Sequence, residues 1–393
     1  MAGTAAPAHR AALERRLPRL RDQVPADLDP AGPAARQPLG LASARARGGL
    51  PAALGLALAL SLALAAPEPA RAGGPLESAF AQRLVQPGPL AVDVHDLELS
   101  DAARARTIPV RLRVPRPCTA GARRPLVLFS HGLGGSRAGG EAWGAHWASH
   151  GFAVAHLQHP GSDETLWRGR PEGVSVDALR PGMTPAQYLA RVRDVPAAID
   201  AIAALAASRP GLACIDASRV GMSGHSFGAQ TTQALAGQSL PRPAGGEPAP
   251  WAHDPRVAAA IAFSPSMRDG SPAARASFAT VTLPFLSVTG SLDGDVVGTG
   301  ATAELRRAVH DALPAGQRRL LWIDAADHRV FNGGAPRPAR PGHADDREVQ
   351  RVVRAVTLAF WQATLGDDAD ARAWLDGQGP QTLIGSADRW LAR

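Results

Sequence analysis

One pentapeptide constrains this chain more than any other feature. Gly224-His225-Ser226-Phe227-Gly228 lies between Arg219–Ser223 (RVGMS), which reads as a strand, and a helix-like stretch opening near Ala229 and continuing over Gln230–Ala236. A G-x-S-x-G in that setting implies a sharp strand-to-helix turn. The turn crowds backbone against backbone, so its flanks need residues without a Cβ, which glycine supplies. Ser226 is then presented at the C-terminal edge of a sheet, above a helix N-terminus, and is the candidate nucleophile. In a chain with 41 glycines the five letters alone also arise by chance. The strand before them and the helix after them give the pattern its weight.

The rest of the chain alternates in the same way. Thr107–Val114 (TIPVRLRV) alternates apolar and polar residues, as a half-exposed strand does. Pro125–Ser130, Phe152–Gln158, Val257–Phe263, Leu283–Thr289 and Arg319–Ile323 are short apolar runs that read as strands buried on both faces. Asp194–Ala207, with Pro196 read near its start, and Arg347–Thr364 read as helices, and Asp370–Leu375 begins a C-terminal segment. This alternation predicts an α/β class, with a mostly parallel central sheet covered by helices on both faces. Gly161–Gln187 interrupts it with polar, Pro- and Gly-containing sequence and reads as a small cap or lid excursion. Ser239–Asp254 reads as a surface loop.

A nucleophilic serine needs a base, and the base needs an orienting acid. In this architecture the chain order is serine, acid, histidine. Leu283–Thr289 runs into Gly290-Ser291-Leu292-Asp293-Gly294-Asp295, which makes Asp293 the candidate acid and Asp295 its rival. Arg319–Ile323 runs into Asp324-Ala325-Ala326-Asp327-His328, which makes His328 the candidate base. His310 lies in a helical pattern and His343 in a Pro/Gly/Asp loop, so both are poorer bases. The strand Pro125–Ser130 ends in His131-Gly132-Leu133-Gly134-Gly135, a loop able to aim backbone N–H groups at a developing oxyanion. The expected donors are the amides of Leu133 and Phe227.

The N-terminal region has a different character. Leu50–Ala66 (LPAALGLALALSLALAA) is free of charge, follows Arg45 and Arg47, and precedes Ala70-Arg71-Ala72. A basic flank, a short apolar run and a small-x-small site predict a secretory signal peptide with cleavage near residue 72, the alternative being an uncleaved N-terminal membrane anchor. The expected organisation is therefore an extension and signal over 1–72 and one catalytic domain over 73–393. The 42 basic residues include no lysine and exceed the 35 acidic ones by seven. Residues 1–72 hold nine arginines against five acids, a net +4, leaving +3 on the remaining 321 residues. That distribution argues against a nucleic-acid partner.

Four segments together resemble a known family. They are Phe129-Ser130-His131-Gly132-Leu133-Gly134-Gly135-Ser136-Arg137, His159-Pro160-Gly161-Ser162-Asp163, Gly224-His225-Ser226-Phe227-Gly228-Ala229 and Asp327-His328-Arg329-Val330-Phe331. This ordered set resembles the bacterial dienelactone-hydrolase-like proteins related to platelet-activating-factor acetylhydrolase, over roughly residues 85–380. The resemblance implies an α/β-hydrolase fold and carboxylic-ester hydrolysis. Its nucleophile falls on Ser226, its acid on Asp293, its base on His328 and its oxyanion amides on Leu133 and Phe227. Ser226 stands where true dienelactone hydrolases carry cysteine. The chain also shows no clear long membrane-docking helix of the kind a lipoprotein-associated acetylhydrolase would use, which points away from phospholipid substrates.

The expectation is an exported serine esterase acting on a small-molecule ester, short-chain or acetyl, with no cofactor and no metal. The alternatives are a lipase or polyester hydrolase, an acyltransferase, or an inactive hydrolase-fold binding protein. His146 and His150, spaced i and i+4, could hold zinc but lack the Glu of an HExxH pattern. Cys118 and Cys214 each precede a core strand, and in an oxidising compartment they either pair or stay free. Trp143, Trp147 and Trp167 either line an acyl pocket or pack in the core.

Overall fold

β-Branched and apolar runs become the strands of one sheet. The computed structural model describes residues 75–240, 249–316 and 318–393; the expected extension, signal peptide and cleavage site over 1–72 lie outside them. The strands are β1 (Val92–Asp101), β2 (Arg106–Pro115), β3 (Arg124–Ser130), β4 (Ala153–Leu157), β5 (Ile215–His225), β6 (Val257–Phe263), β7 (Phe285–Leu292), β8 (Arg318–Asp327) and β9 (Arg389–Ala392). Their order is β1-β2-β4-β3-β5-β6-β7-β8-β9. β4, β3, β5, β6, β7 and β8 are mutually parallel, while β1, β2 and β9 add antiparallel edges.

The helices are α1 (Pro75–Val85), α2 (Glu141–Ser149), α3 (Val176–Leu179), α4 (Pro185–Ser208), α5 (Phe227–Leu235), α6 (Pro272–Ala276), α7 (Ala303–Ala312), α8 (Asp346–Thr364) and α9 (Ala369–Asp376). Strand periodicity divides them between the faces. Val127 and Phe129 of β3 join a core with Trp143 and Trp147 of α2 and with Val353, Phe360 and Trp361 of α8. Leu126 and Leu128 point the other way, into a core with Val192, Val195 and Ile199 of α4. Trp143 and Trp147 are thus packing residues. No helix among the described residues is long and apolar enough to cross a membrane.

Two features differ from the sequence reading. The helix read as Asp194–Ala207 begins nine residues earlier, where Thr184 caps it by accepting from the Gln187 N–H at 3.2 Å and Pro185 takes the first helical position. Pro196 therefore lies inside a 24-residue helix, where it leaves the Val192 carbonyl without the usual amide donor. The Gly161–Gln187 excursion, read without internal elements, contains short helical ones. It folds as short turns at Glu164–Leu166 and Arg180–Gly182 with α3 between them. Asp163 bridges Gly135, and Trp167 Nε1 donates to Gly134 O at 2.7 Å, which fastens the excursion to the loop after β3.

Cys118 and Cys214 form a disulfide with Cα atoms 4.9 Å apart. It ties the segment after β2 to the start of β5. Because β3 and β5 run parallel from Arg124 and Ile215 toward Ser130 and His225, the bridge lies at the opposite end of the sheet from Ser226. His146 Nε2 and His150 Nε2 donate to the carbonyls of Leu84 and Gln86, at 2.8 and 3.0 Å, and so anchor α1.

Candidate active site

The turn after β5 is tightly built. Ser226 has φ 57° and ψ −114°, a region that side chains other than glycine rarely adopt. Its N–H donates to Phe263 O of β6 at 3.0 Å, which helps to hold the strain. A Cβ on Gly224 would overlap the carbonyl oxygen of Gly228, and one on Gly228 would overlap that of Ser130. The two flanking glycines are therefore set by the approach of the turn to itself and to the end of β3.

Asp293 follows β7 directly and is fully buried. Its Oδ1 accepts from His328 Nδ1 at 2.7 Å and its Oδ2 from Thr289 Oγ1 at 2.7 Å. Arg306 of α7 lies alongside, its Nε 2.9 Å from Oδ1 and 2.8 Å from the Asp293 carbonyl. Burial alone would raise the Asp293 pKa. The His328 hydrogen bond and the Arg306 charge outweigh that and hold the carboxyl below its ordinary range. Arg306 also donates to the Ser264 carbonyl at 3.0 Å, so one buried guanidinium fixes the ends of β6 and β7 together.

His328 follows β8 on a turn shaped by Asp327. Asp327 Oδ1 accepts from the N–H groups of Arg329 and Val330, while Arg337 and Arg340 grip the carboxylate from outside. Burial opposes ionisation of Asp327, but these two guanidinium groups dominate and depress its pKa far below the usual range. Asp295 behaves differently from Asp293. It accepts from the amides of Val297, Gly298 and Gly300, a turn-forming pattern, and makes no hydrogen bond to His328.

Ser226, His328, Leu133 and Phe227 share the wall of one cavity of about 410 Å³, a size suited to a small molecule. Met183, Tyr188, Leu240, Trp251, Met267 and Phe278 give it an apolar lining. Among the described residues neither the Leu133 nor the Phe227 amide has a hydrogen-bond acceptor, and no hydrogen bond joins Ser226 Oγ to His328. Catalytic hydrogen bonds are often loose without a bound substrate. Among the described residues no group of three His, Cys, Asp or Glu side chains is placed to hold a metal ion.

The structure thus joins His328 to Asp293 and gathers four of the five sequence candidates around one cavity, with Asp293 behind its wall. The sequence reading missed His225, Thr289, Arg306 and Arg191. His225 adjoins Ser226 and Thr289 ends the strand run that leads to Asp293, whereas the two arginines carry no local signal.

A nine-stranded, mostly parallel sheet with helices on both faces and a serine at the tip of the turn after β5 defines the α/β-hydrolase fold. Within that class, the family model described as platelet-activating factor acetylhydrolase, isoform II, matches residues 106–165. The matched stretch runs from β2 through β3, the Leu133 loop, α2 and β4 into the excursion. The chain is similar to this family of hydrolases there. No curated protein matches the chain.

Proposed function

We propose that the protein is an exported serine hydrolase that cleaves carboxylic esters. The observation that carries this reading is the 2.7 Å hydrogen bond from His328 Nδ1 to buried Asp293, on a cavity that Ser226 also lines. With Nδ1–H committed to the carboxylate, Nε2 is the imidazole's basic nitrogen. His328 removes the Ser226 proton as Oγ attacks the ester carbonyl. The N–H groups of Leu133 and Phe227 receive the oxyanion. The tetrahedral intermediate collapses, and His328 returns the proton to the departing alcohol. Water, deprotonated by His328, then attacks the acyl-enzyme and releases the carboxylic acid.

The similarity to an acetylhydrolase family and the modest cavity favour a short acyl group, acetyl above all. The dienelactone-hydrolase-like part of the resemblance rests on the sequence segments alone. Export rests on the expected signal peptide, and the disulfide supports it, since such bonds persist in oxidising compartments.

The deciding experiment is a chain-length series of p-nitrophenyl esters on protein starting at Gly73, with Ser226→Ala as control. Fastest turnover of acetyl and butyryl esters is the expected result, with no turnover by the alanine variant and an unchanged thermal midpoint. A rate jump above the solubility limit would favour a lipase. An active Ser226→Ala enzyme would end the assignment.

A further inference from the structure

We propose that Arg191, buried in α4 and remote in sequence from every candidate site residue, is a positioning residue that aims the oxyanion donors. The inference rests on the esterase reading above.

Arg191 is completely buried, yet it does not face a carboxylate head-on. Its guanidinium spends its donors on the loop after β3 and on the excursion that brackets that loop. Nη1 donates to His131 O at 2.7 Å. Nη2 donates to Gly132 O at 3.3 Å and to Ser162 O at 3.2 Å. Nε donates to Ser162 Oγ at 2.8 Å. A planar five-donor fork matches such a divided set of acceptors, and a lysine ammonium does not.

The Gly132 carbonyl is the important target, because it belongs to the same peptide unit as the Leu133 N–H. In a trans peptide the C=O and the N–H point in opposite directions. Fixing the oxygen therefore fixes the direction of the hydrogen. The oxygen accepts from Arg191, from Gly135 N at 3.1 Å and from His131 Nδ1 at 2.6 Å. The role of His131 follows from its other nitrogen. Nε2 lies 3.0 Å from the His159 nitrogen, whose N–H can only donate, so the proton sits on Nδ1; the 2.6 Å contact to Gly132 O is then its hydrogen bond, and the 3.3 Å approach of Arg191 Nη2 to Nδ1 is not one. Three donors on one side of the peptide leave Leu133 N–H directed away from them, on the residue that lines the cavity with Ser226.

The same guanidinium reaches the second donor. Its Cζ lies 4.4 Å from the centroid of the Phe227 ring, and Tyr188 stacks against that ring at 6.1 Å. Phe227 is the first residue of α5, and its amide is the other expected oxyanion donor. One side chain thus contacts both the peptide unit of the first expected donor and the ring of the residue that carries the second.

Arg191 is held in place from behind. Its Nη1 lies 3.4 Å from Ser130 Oγ, which in turn donates to His159 Nε2 at 2.9 Å. His159 Nδ1 donates to Asp194 Oδ2 at 2.9 Å, and Asp194 is gripped by Arg104 and Arg106. All three members of this Ser130–His159–Asp194 chain are buried and none lines the cavity. It is a support rather than a second catalytic set.

The oxyanion exists only after attack, so loss of aim should lower kcat and spare KM. The test compares wild type, Arg191→Met, Arg191→Lys and Ser226→Ala on p-nitrophenyl acetate, with kcat expressed per folded molecule. It also measures inhibition by a trifluoromethyl ketone, whose adduct with serine carries an oxyanion. Arg191→Met should lose about 100-fold in kcat with KM changed by less than about 3-fold, and the ketone should bind weaker by a similar factor. Arg191→Lys should lie between this variant and wild type, and it decides the matter where the methionine variant does not fold. A residue that merely supports the fold would lower the melting temperature and leave kcat per folded molecule and ketone affinity unchanged. Such a result with Ser226→Ala inactive overturns the positioning role and leaves the esterase reading intact. Activity in Ser226→Ala overturns both.

Discussion

His225 Nε2 donates to the backbone carbonyl of His328 at 3.0 Å, with the two rings 4.6 Å apart. A carbonyl only accepts, so this nitrogen carries the proton, and buried Nδ1 is bare, with no partner among the described residues. Burial, with His328 next, pushes the His225 pKa well below that of a free imidazole and keeps the ring neutral. The residue before the candidate nucleophile therefore anchors the loop that carries the candidate base. His225→Leu should lower kcat about 10-fold, with a stability loss of about 1–3 kcal/mol from the orphaned carbonyl. Steady-state kinetics beside urea unfolding checks both numbers, and full activity in the variant would show that the loop needs no such anchor.

The two neighbouring aspartates should separate cleanly. Asp293→Asn keeps the shape but replaces the carboxylate facing His328 Nδ1, and a loss of about 10⁴-fold in kcat is expected. Asp295→Asn disturbs the turn groups of Val297, Gly298, Thr299 and Gly300; Asp295 lines the cavity but makes no hydrogen bond to His328, so kcat should stay near wild type. The reverse pattern in ester turnover would move the acid to Asp295.

Acid should destabilise the fold in two stages. Burial pushes His146 down to about 3, and His156, His159 and His310 down to about 4, from an ordinary 6.5. The unfolded chain binds protons at these sites below about 6.5 while the folded one does not until about 4. Their contribution is complete above pH 6.5 and lost as pH falls toward 4, at about 1.4 kcal/mol per pH unit for each histidine. Burial opposes ionisation of Asp194 as well, but His159 and Arg106 lower it to about 2. Its contribution is present above its ordinary 3.8 and lost as pH falls through about 2. Urea titrations at pH 7, 6 and 5 test the first stage, and flat stability across them would contradict it.

The disulfide closes a span of 96 residues at the far end of the sheet from Ser226. The double variant Cys118→Ser/Cys214→Ser should lose about 2–4 kcal/mol of stability. Its kcat per folded molecule should match wild type, because neither cysteine touches the cavity. Thermal unfolding with and without reductant is the measurement, and a kcat that drops along with the bridge would tie it to the site.

Local chemistry was legible in the sequence; contacts between elements were not. Ser226, Asp293 and His328 each sit just past a strand, where a short apolar run and its turn mark the place. β1 (VDVHDLELSD) escaped notice because its apolar residues are mostly half-exposed on an edge, and β9 has only four residues. The start of α4 was hidden because Pro196 looked like a helix opening, while the opening was Thr184-Pro185. Arg191 and Arg306 act across the fold, and nothing in their neighbouring residues distinguishes them from arginines on a solvated face.

The buried Ser130–His159–Asp194 chain has a consequence for how hydrolases are annotated. Judged by side-chain distances alone, it matches a triad template better than Ser226, His328 and Asp293 do, since both of its links are formed at 2.9 Å. Yet no ester could reach it. What separates the candidate nucleophile from Ser130 in this molecule is the cavity beside it and the backbone strain beneath it. A template search that scored voids and dihedral angles would choose Ser226 over Ser130.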